Sequence, residues 1–86
     1  MKREKEMYTV YILYSKKSSR YYVGQTSDIK DRLERHNQGR SKSTKFGIPW
    51  SIVLQREFSS RSEVLILEKQ IKNRGAKRYM EDQLGV

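Results

Sequence analysis

Residues 8–14, Tyr-Thr-Val-Tyr-Ile-Leu-Tyr, leave the fold less freedom than any other stretch of the sequence. Side chains alternate between faces in an extended chain, so Tyr8, Val10, Ile12 and Tyr14 point one way and Thr9, Tyr11 and Leu13 the other. Both sets are rich in aromatic and β-branched bulk, a pattern that suits a strand covered on both sides. The segment is therefore predicted as the central strand of a sheet.

The remaining chain supplies neighbours in the order β-β-α-β-α. Lys16-Lys17-Ser18-Ser19 reads as a polar turn and residues 21–25 as the returning strand of a hairpin, with Tyr22 and Gly24 on one face. A helix follows, with Thr26 or Ser27 as N-cap, Asp28 in the first turn and Gly39 near the stop. Ile29 and Leu33 pin it to the sheet, while Arg32 and His36, also four apart, share one side of it. Residues 39–49 read as a polar, basic loop in which Arg40, Lys42 and Lys45 are suited to contact phosphates. Residues 50–58 read as a third strand in which Trp50, Ile52, Leu54 and Phe58 alternate with more polar positions, although Val53 breaks the pattern. A second helix opens at Ser60-Arg61-Ser62-Glu63, a capping-box sequence, and a short tail helix is expected beyond Gly75, through Tyr79 and Leu84.

Nineteen Lys and Arg against ten Asp and Glu give a net charge of +9, a strong positive field for 86 residues, and polyanions are its natural partners. Charge alone does not separate DNA from RNA or from an anionic membrane. The longest apolar run, residues 64–67, is far too short to cross a bilayer, so no membrane role is expected. Cysteine is absent, which excludes a disulfide framework and a thiolate zinc site. Residues 1–6 mix charges without an apolar segment and do not read as a secretory leader, so a cytoplasmic protein is expected. The length fits one domain over 1–86, with its core at 7–73 and a helical tail at 75–86.

Glu68 is the least ordinary acidic residue. On a helical projection it falls in the same arc as Val64, Leu67 and Ile71, so a carboxylate is aimed with the core-facing side chains. An ion so placed needs a partner, which can be a Lys or Arg side chain, a proton or a metal ion.

Thr9-Val10-Tyr11, Tyr22-Val23-Gly24, Arg32, His36 and Glu68 together resemble the signature of the GIY-YIG nuclease domain. The likeness is to its small single-domain form, similar to the N-terminal nuclease domain of an excinuclease. Either tripeptide alone is weak, but the combined spacing is specific and spans residues 8–71. The resemblance implies an α+β fold with a three-stranded antiparallel sheet flanked by helices, and DNA endonuclease activity with one Mg²⁺ or Mn²⁺. By the same resemblance Tyr11, Tyr22, Arg32 and His36 are catalytic and Glu68 is the metal-binding carboxylate. DNA, branched or damaged, is the implied partner ahead of RNA, in repair, recombination or processing, with a protein partner as one source of specificity.

The chemistry suits those residue types. Phosphodiester hydrolysis needs an activated water, neutralisation of charge on the phosphoryl oxygens and stabilisation of the leaving alkoxide. A carboxylate with several waters can hold Mg²⁺, and an arginine can donate two parallel hydrogen bonds to a phosphate. Tyr22 is read as the general base with Tyr11 orienting the water or sharing the proton, and the reverse assignment stays open. His36 either carries a proton or hydrogen-bonds a tyrosine hydroxyl. Tyr8, Tyr14, Tyr21 and Tyr79 read as packing residues, as does Trp50.

Two positions depart from the family pattern. Thr9 stands where the first motif has glycine, and Asn73 lies too soon after Glu68 to match the asparagine of larger members. The competing readings are a nucleic-acid-binding module that keeps the fold without turnover alone, and a basic RNA-associated protein whose tyrosines are structural.

Overall fold

The computed structural model describes residues 7–85, so the leader reading at residues 1–6 and the final residue of the predicted tail lie outside it. Three strands, β1 (Tyr8–Ser15), β2 (Arg20–Thr26) and β3 (Ser51–Phe58), form one antiparallel sheet in the order β2-β1-β3. Helix α1 (Ile29–Asn37) and a 3₁₀ helix (Lys42–Gly47) lie between β2 and β3. Helices α2 (Arg61–Arg74) and α3 (Ala76–Leu84) follow β3.

β1 is central, as its two bulky faces require, and Val10, Tyr11, Ile12 and Leu13 are all fully buried. Its two faces feed two separate clusters. Val10 and Ile12 pack with Leu54, Val64 and Ile71, where Ala76, Tyr79 and Met80 of α3 also join. Tyr11 and Leu13 pack with Trp50, against Ile29 and Leu33 of α1. The helices thus form a layer on each side of the sheet.

Val53 explains why the third strand alternates imperfectly. Ile12 pairs with Leu54 and Leu13 with Ile52, so Val53 is the extra residue of a bulge and is left 39% exposed. The bulge sends Ile52 to one cluster and Leu54 to the other, where strict alternation predicts one shared face.

The predicted cap of α1 and the box predicted at α2 need correction. Thr26 still belongs to β2, and its hydroxyl accepts from the Asp28 N–H at 3.0 Å, which holds the strand-to-helix junction. Asp28 is therefore the N-cap of α1, its carboxylate accepting from the Asp31 N–H at 3.1 Å. Ser60 does cap α2, but its hydroxyl pairs with that of Ser62 at 2.8 Å, so the capping box with Glu63 does not form.

Gly39 stops α1 as predicted. With φ of 77° it closes a Schellman motif, its N–H donating to His36 O at 3.2 Å and the Arg40 N–H to Arg35 O at 3.1 Å. The motif swings the chain back across the end of α1, where Arg40 and His36 line a common cavity.

Candidate active site

The site grows from the face of β1 that carries Tyr11. Tyr11 pairs with Gly24 across the β1–β2 ladder, and its phenol lies over that glycine. A Cβ at Gly24 would sit 2.6 Å from the Tyr11 hydroxyl, so the glycine of Tyr22-Val23-Gly24 is required by close approach. Tyr22, two residues earlier, shares the face, with its ring 6.2 Å from that of Tyr11.

Helix α1 adds the imidazole. His36 is the buried residue of this helix, only 2% exposed. Its Nε2 is 3.2 Å from the Tyr11 hydroxyl and its Nδ1 is 2.8 Å from the Thr44 hydroxyl. With the Thr44 hydroxyl donating to Ser41 O at 3.4 Å, its lone pairs face His36 Nδ1 and we take it to accept from Nδ1–H. The network thereby assigns the tautomer: Nδ1 carries the proton, and Nε2 accepts from the Tyr11 O–H.

Electrostatics agree with that assignment. Burial, with the Arg32 guanidinium beside it, lowers the His36 pKa below the usual 6.5 and keeps the ring neutral near pH 7. Burial pushes the Tyr11 phenol up to about 12, with Tyr22 and Glu68 adding to the rise and Arg32 opposing it. Tyr11 is thus a firmly protonated donor.

Arg32 lines a 420 Å³ cavity with Tyr22, Arg35, His36, Arg40 and Ser41. Its Nε is buried and has no hydrogen-bond partner among the described residues. The guanidinium also acts on the Tyr11 hydroxyl, so what is left unpaired is the Nε–H, a cationic donor that an anion in a cavity with two further arginines can satisfy.

Glu68 is reached from the other face. Its Oε1 accepts from Gln25 Nε2 at 3.0 Å and its Oε2 pairs with Lys72 Nζ at 2.9 Å, leaving the side chain 16% exposed. It does not line the arginine cavity, yet its charge acts on Tyr11, and its partner Gln25 directly follows Gly24. Among the described residues no three His, Cys, Asp or Glu side chains gather to hold a metal. A divalent ion here would rest on Glu68 with water and substrate oxygens, a ligand set that suits Mg²⁺, once the exposed Lys72 ammonium moves aside.

Tyr11, Tyr22, Arg32 and His36 are therefore brought together, while Glu68 stands outside the arginine cavity and reaches Tyr11 through its charge. Of the three loop cations, Arg40 lines the cavity, whereas Lys42 and Lys45 project from the 3₁₀ helix that replaces the expected loop. Thr44, Gln25, Arg35 and Ser41 are residues that the sequence did not single out. Gln25 directly follows the second tyrosine motif, a usable signal, but a threonine within Ser-Lys-Ser-Thr-Lys carries none.

A three-stranded sheet whose central strand delivers a phenol to an imidazole and a guanidinium defines the class. The family model of the GIY-YIG catalytic domain matches residues 7–80, and the chain belongs to that nuclease family. Its relatives carry the UPF0213 name. The chain is 41% identical over 64 residues to UPF0213 protein SH2523 of Staphylococcus haemolyticus, covering 73% of this chain and 77% of the relative. A UPF0213 protein of Streptococcus pneumoniae is 32% identical over 66 residues, covering 76% and 66%. The solution NMR structure of UPF0213 protein BH0048 from Bacillus halodurans matches with a TM-score of 0.54 at 30% identity, covering 91% of this chain and 81% of that one. No helix among the described residues is long and apolar enough to cross a membrane.

Proposed function

We propose that this chain is a divalent-metal-dependent endonuclease that hydrolyses DNA phosphodiester bonds. The observation that carries the reading is the unpaired, buried Nε of Arg32 beside the Tyr22 and His36 side chains. Arg32 holds the scissile phosphate through its non-bridging oxygens, with Arg35 and Arg40 adding positive field. Tyr22 faces the cavity and, in its phenolate form, takes the proton of the attacking water. Tyr11, fully buried and held as a donor to His36, positions that pair and does not serve as the base itself. Glu68 is the residue to hold Mg²⁺ or Mn²⁺, which would neutralise charge on the phosphate and the leaving oxygen.

A second reading, binding without turnover, is favoured by one observation: both Glu68 oxygens already accept from Lys72 and Gln25. Incubation with supercoiled, branched and single-stranded DNA, with and without Mg²⁺ or Mn²⁺, separates the two. Metal-dependent cutting that Glu68→Ala and Arg32→Ala both abolish is expected. If wild type binds every substrate and cuts none, the nuclease reading fails.

A further inference from the structure

Phe46 is an aromatic residue that the proposed chemistry leaves unused. It sits on the 3₁₀ helix with 49% of its surface exposed, although a phenylalanine is ordinarily among the best-buried side chains. The exposure is built in from below. Trp50 is buried, its indole N–H donating to Thr44 O at 2.7 Å, and Asn37 brackets its backbone by accepting from its N–H at 2.7 Å and donating to its carbonyl at 3.1 Å. Gly47 lets the indole pass under the 3₁₀ helix, since a Cβ there would lie 2.5 Å from the Trp50 ring. Phe46 stands on that indole nearly perpendicular to it, at 84° with centroids 5.9 Å apart.

The surroundings are cationic. The Arg20 guanidinium lies over the Phe46 ring at 5.8 Å, and exposed Lys42 and Lys45 share its short helix. Its place relative to the cavity is set by the rings, because Trp50 also meets Tyr22 edge-on at 6.5 Å. Phe46 is therefore within about 12 Å of Tyr22, a few nucleotides along a strand whose phosphate occupies the arginine cavity.

We infer that Phe46 is a stacking platform for an unpaired base of single-stranded DNA, with Arg20, Lys42 and Lys45 contacting the adjoining backbone. A paired base is buried in its own stack and presents no face to such a ring, whereas an unpaired base does. The site makes the chain prefer DNA with a single-stranded, frayed or branched segment beside the cleaved bond. Only this placing of the strand rests on the nuclease reading.

The test is equilibrium binding in EDTA, so that cleavage plays no part. A short oligodeoxynucleotide carrying 2-aminopurine, its duplex, and an oligoribonucleotide of the same sequence are titrated with wild type, Phe46→Leu and Phe46→Trp. Wild type is expected to quench the 2-aminopurine of the single strand. Phe46→Leu weakens single-strand binding about tenfold and leaves duplex binding unchanged, while Phe46→Trp restores it. Circular dichroism confirms that both variants are folded. Equal single-strand binding by wild type and Phe46→Leu overturns the inference, as does an equal loss on the duplex. Tighter, Phe46-dependent capture of the RNA overturns the assignment to DNA. Absence of cleavage in the presence of metal sinks the nuclease reading while leaving this measurement standing.

Discussion

Thr44→Val is the substitution that most directly probes how the site is held. Thr44 is buried, 1% exposed, and its hydroxyl accepts from His36 Nδ1–H while donating to Ser41 O. Valine keeps nearly the same volume and removes both bonds. The Nδ1–H then has no partner in a buried site, which costs about 1–3 kcal/mol. A domain of this size loses about 4–8 °C of Tm per kcal/mol, so a fall of roughly 5–20 °C is expected in a thermal melt, with a matching drop in urea midpoint.

Stability alone would not distinguish a positioning role from packing, so the ring itself must be read. Nitrogen-15 NMR of His36 is expected to show the Nδ1–H tautomer in wild type, with Nε2 as acceptor from Tyr11. In Thr44→Val the Nε2–H form should grow, and Thr44→Ser should restore both the tautomer and most of the stability. A Thr44→Val protein within about 0.5 kcal/mol of wild type, with an unchanged tautomer, would refute the relay from Thr44 through His36 to Tyr11.

The same geometry sets the other outcomes. Gly24→Ala places a methyl 2.6 Å from the buried Tyr11 hydroxyl and should destabilise by about 1–3 kcal/mol in urea denaturation; a neutral result would mean that the phenol can move aside. Tyr11 keeps its proton to about 12 when folded but only to about 10 when unfolded, so its contribution is whole below pH 10 and is lost as pH rises towards 12. Alkaline melts should fall with a slope of up to about 1.4 kcal/mol per pH unit in that window, and Tyr11→Phe should flatten it. His36 has the opposite sign: its folded pKa lies below 6.5, so stability is whole above pH 6.5 and declines below it, a decline that His36→Gln should remove. Lys72→Met takes the competing ammonium off Glu68 and should raise Mn²⁺ affinity two- to fivefold by electron paramagnetic resonance, the range expected from losing a half-exposed pair worth about 0.3–1 kcal/mol; unchanged affinity would place the ion elsewhere.

What the sequence makes legible is what local pattern controls. The doubled bulk of residues 8–14 forces β1 to the centre, and the step from Ile29 to Leu33 forces α1 against Tyr11 and Leu13. Tyr22, Arg32 and His36 follow because each is tied to one of those elements at fixed register or helical pitch. The caps resist the same reading because Thr26, Asp28 and Ser60 all carry acceptors, and which one is used depends on where the preceding strand ends. Thr44 and Phe46 lie beyond its reach for a different reason: their roles depend on Trp50 lying under the 3₁₀ helix, a tertiary contact between segments without shared periodicity.

The two clusters divide the labour of the fold in a way that bears on every substitution above. The buried residues of the cluster on the α2 side, Val10, Ile12, Leu54, Val64 and Ile71, are all aliphatic. The cluster on the α1 side has a phenol, an indole and Leu13, with His36 and Thr44 buried beside it. Aliphatic burial is therefore concentrated on the α2 side, where Glu68 with Gln25 and Lys72 is the polar exception, and the phenol–imidazole network lies on the opposite face of the same strand. Tyr11 is the joint between them: one residue of β1 that serves as core and as hydrogen-bond donor at once. Its hydroxyl is costly to bury without a partner, and His36 supplies the acceptor for its O–H. Removing the imidazole should thus unsettle the sheet as well as the site, which makes His36 and Tyr11 a coupled pair in a double-mutant cycle, whereas Val64 and His36 should add independently.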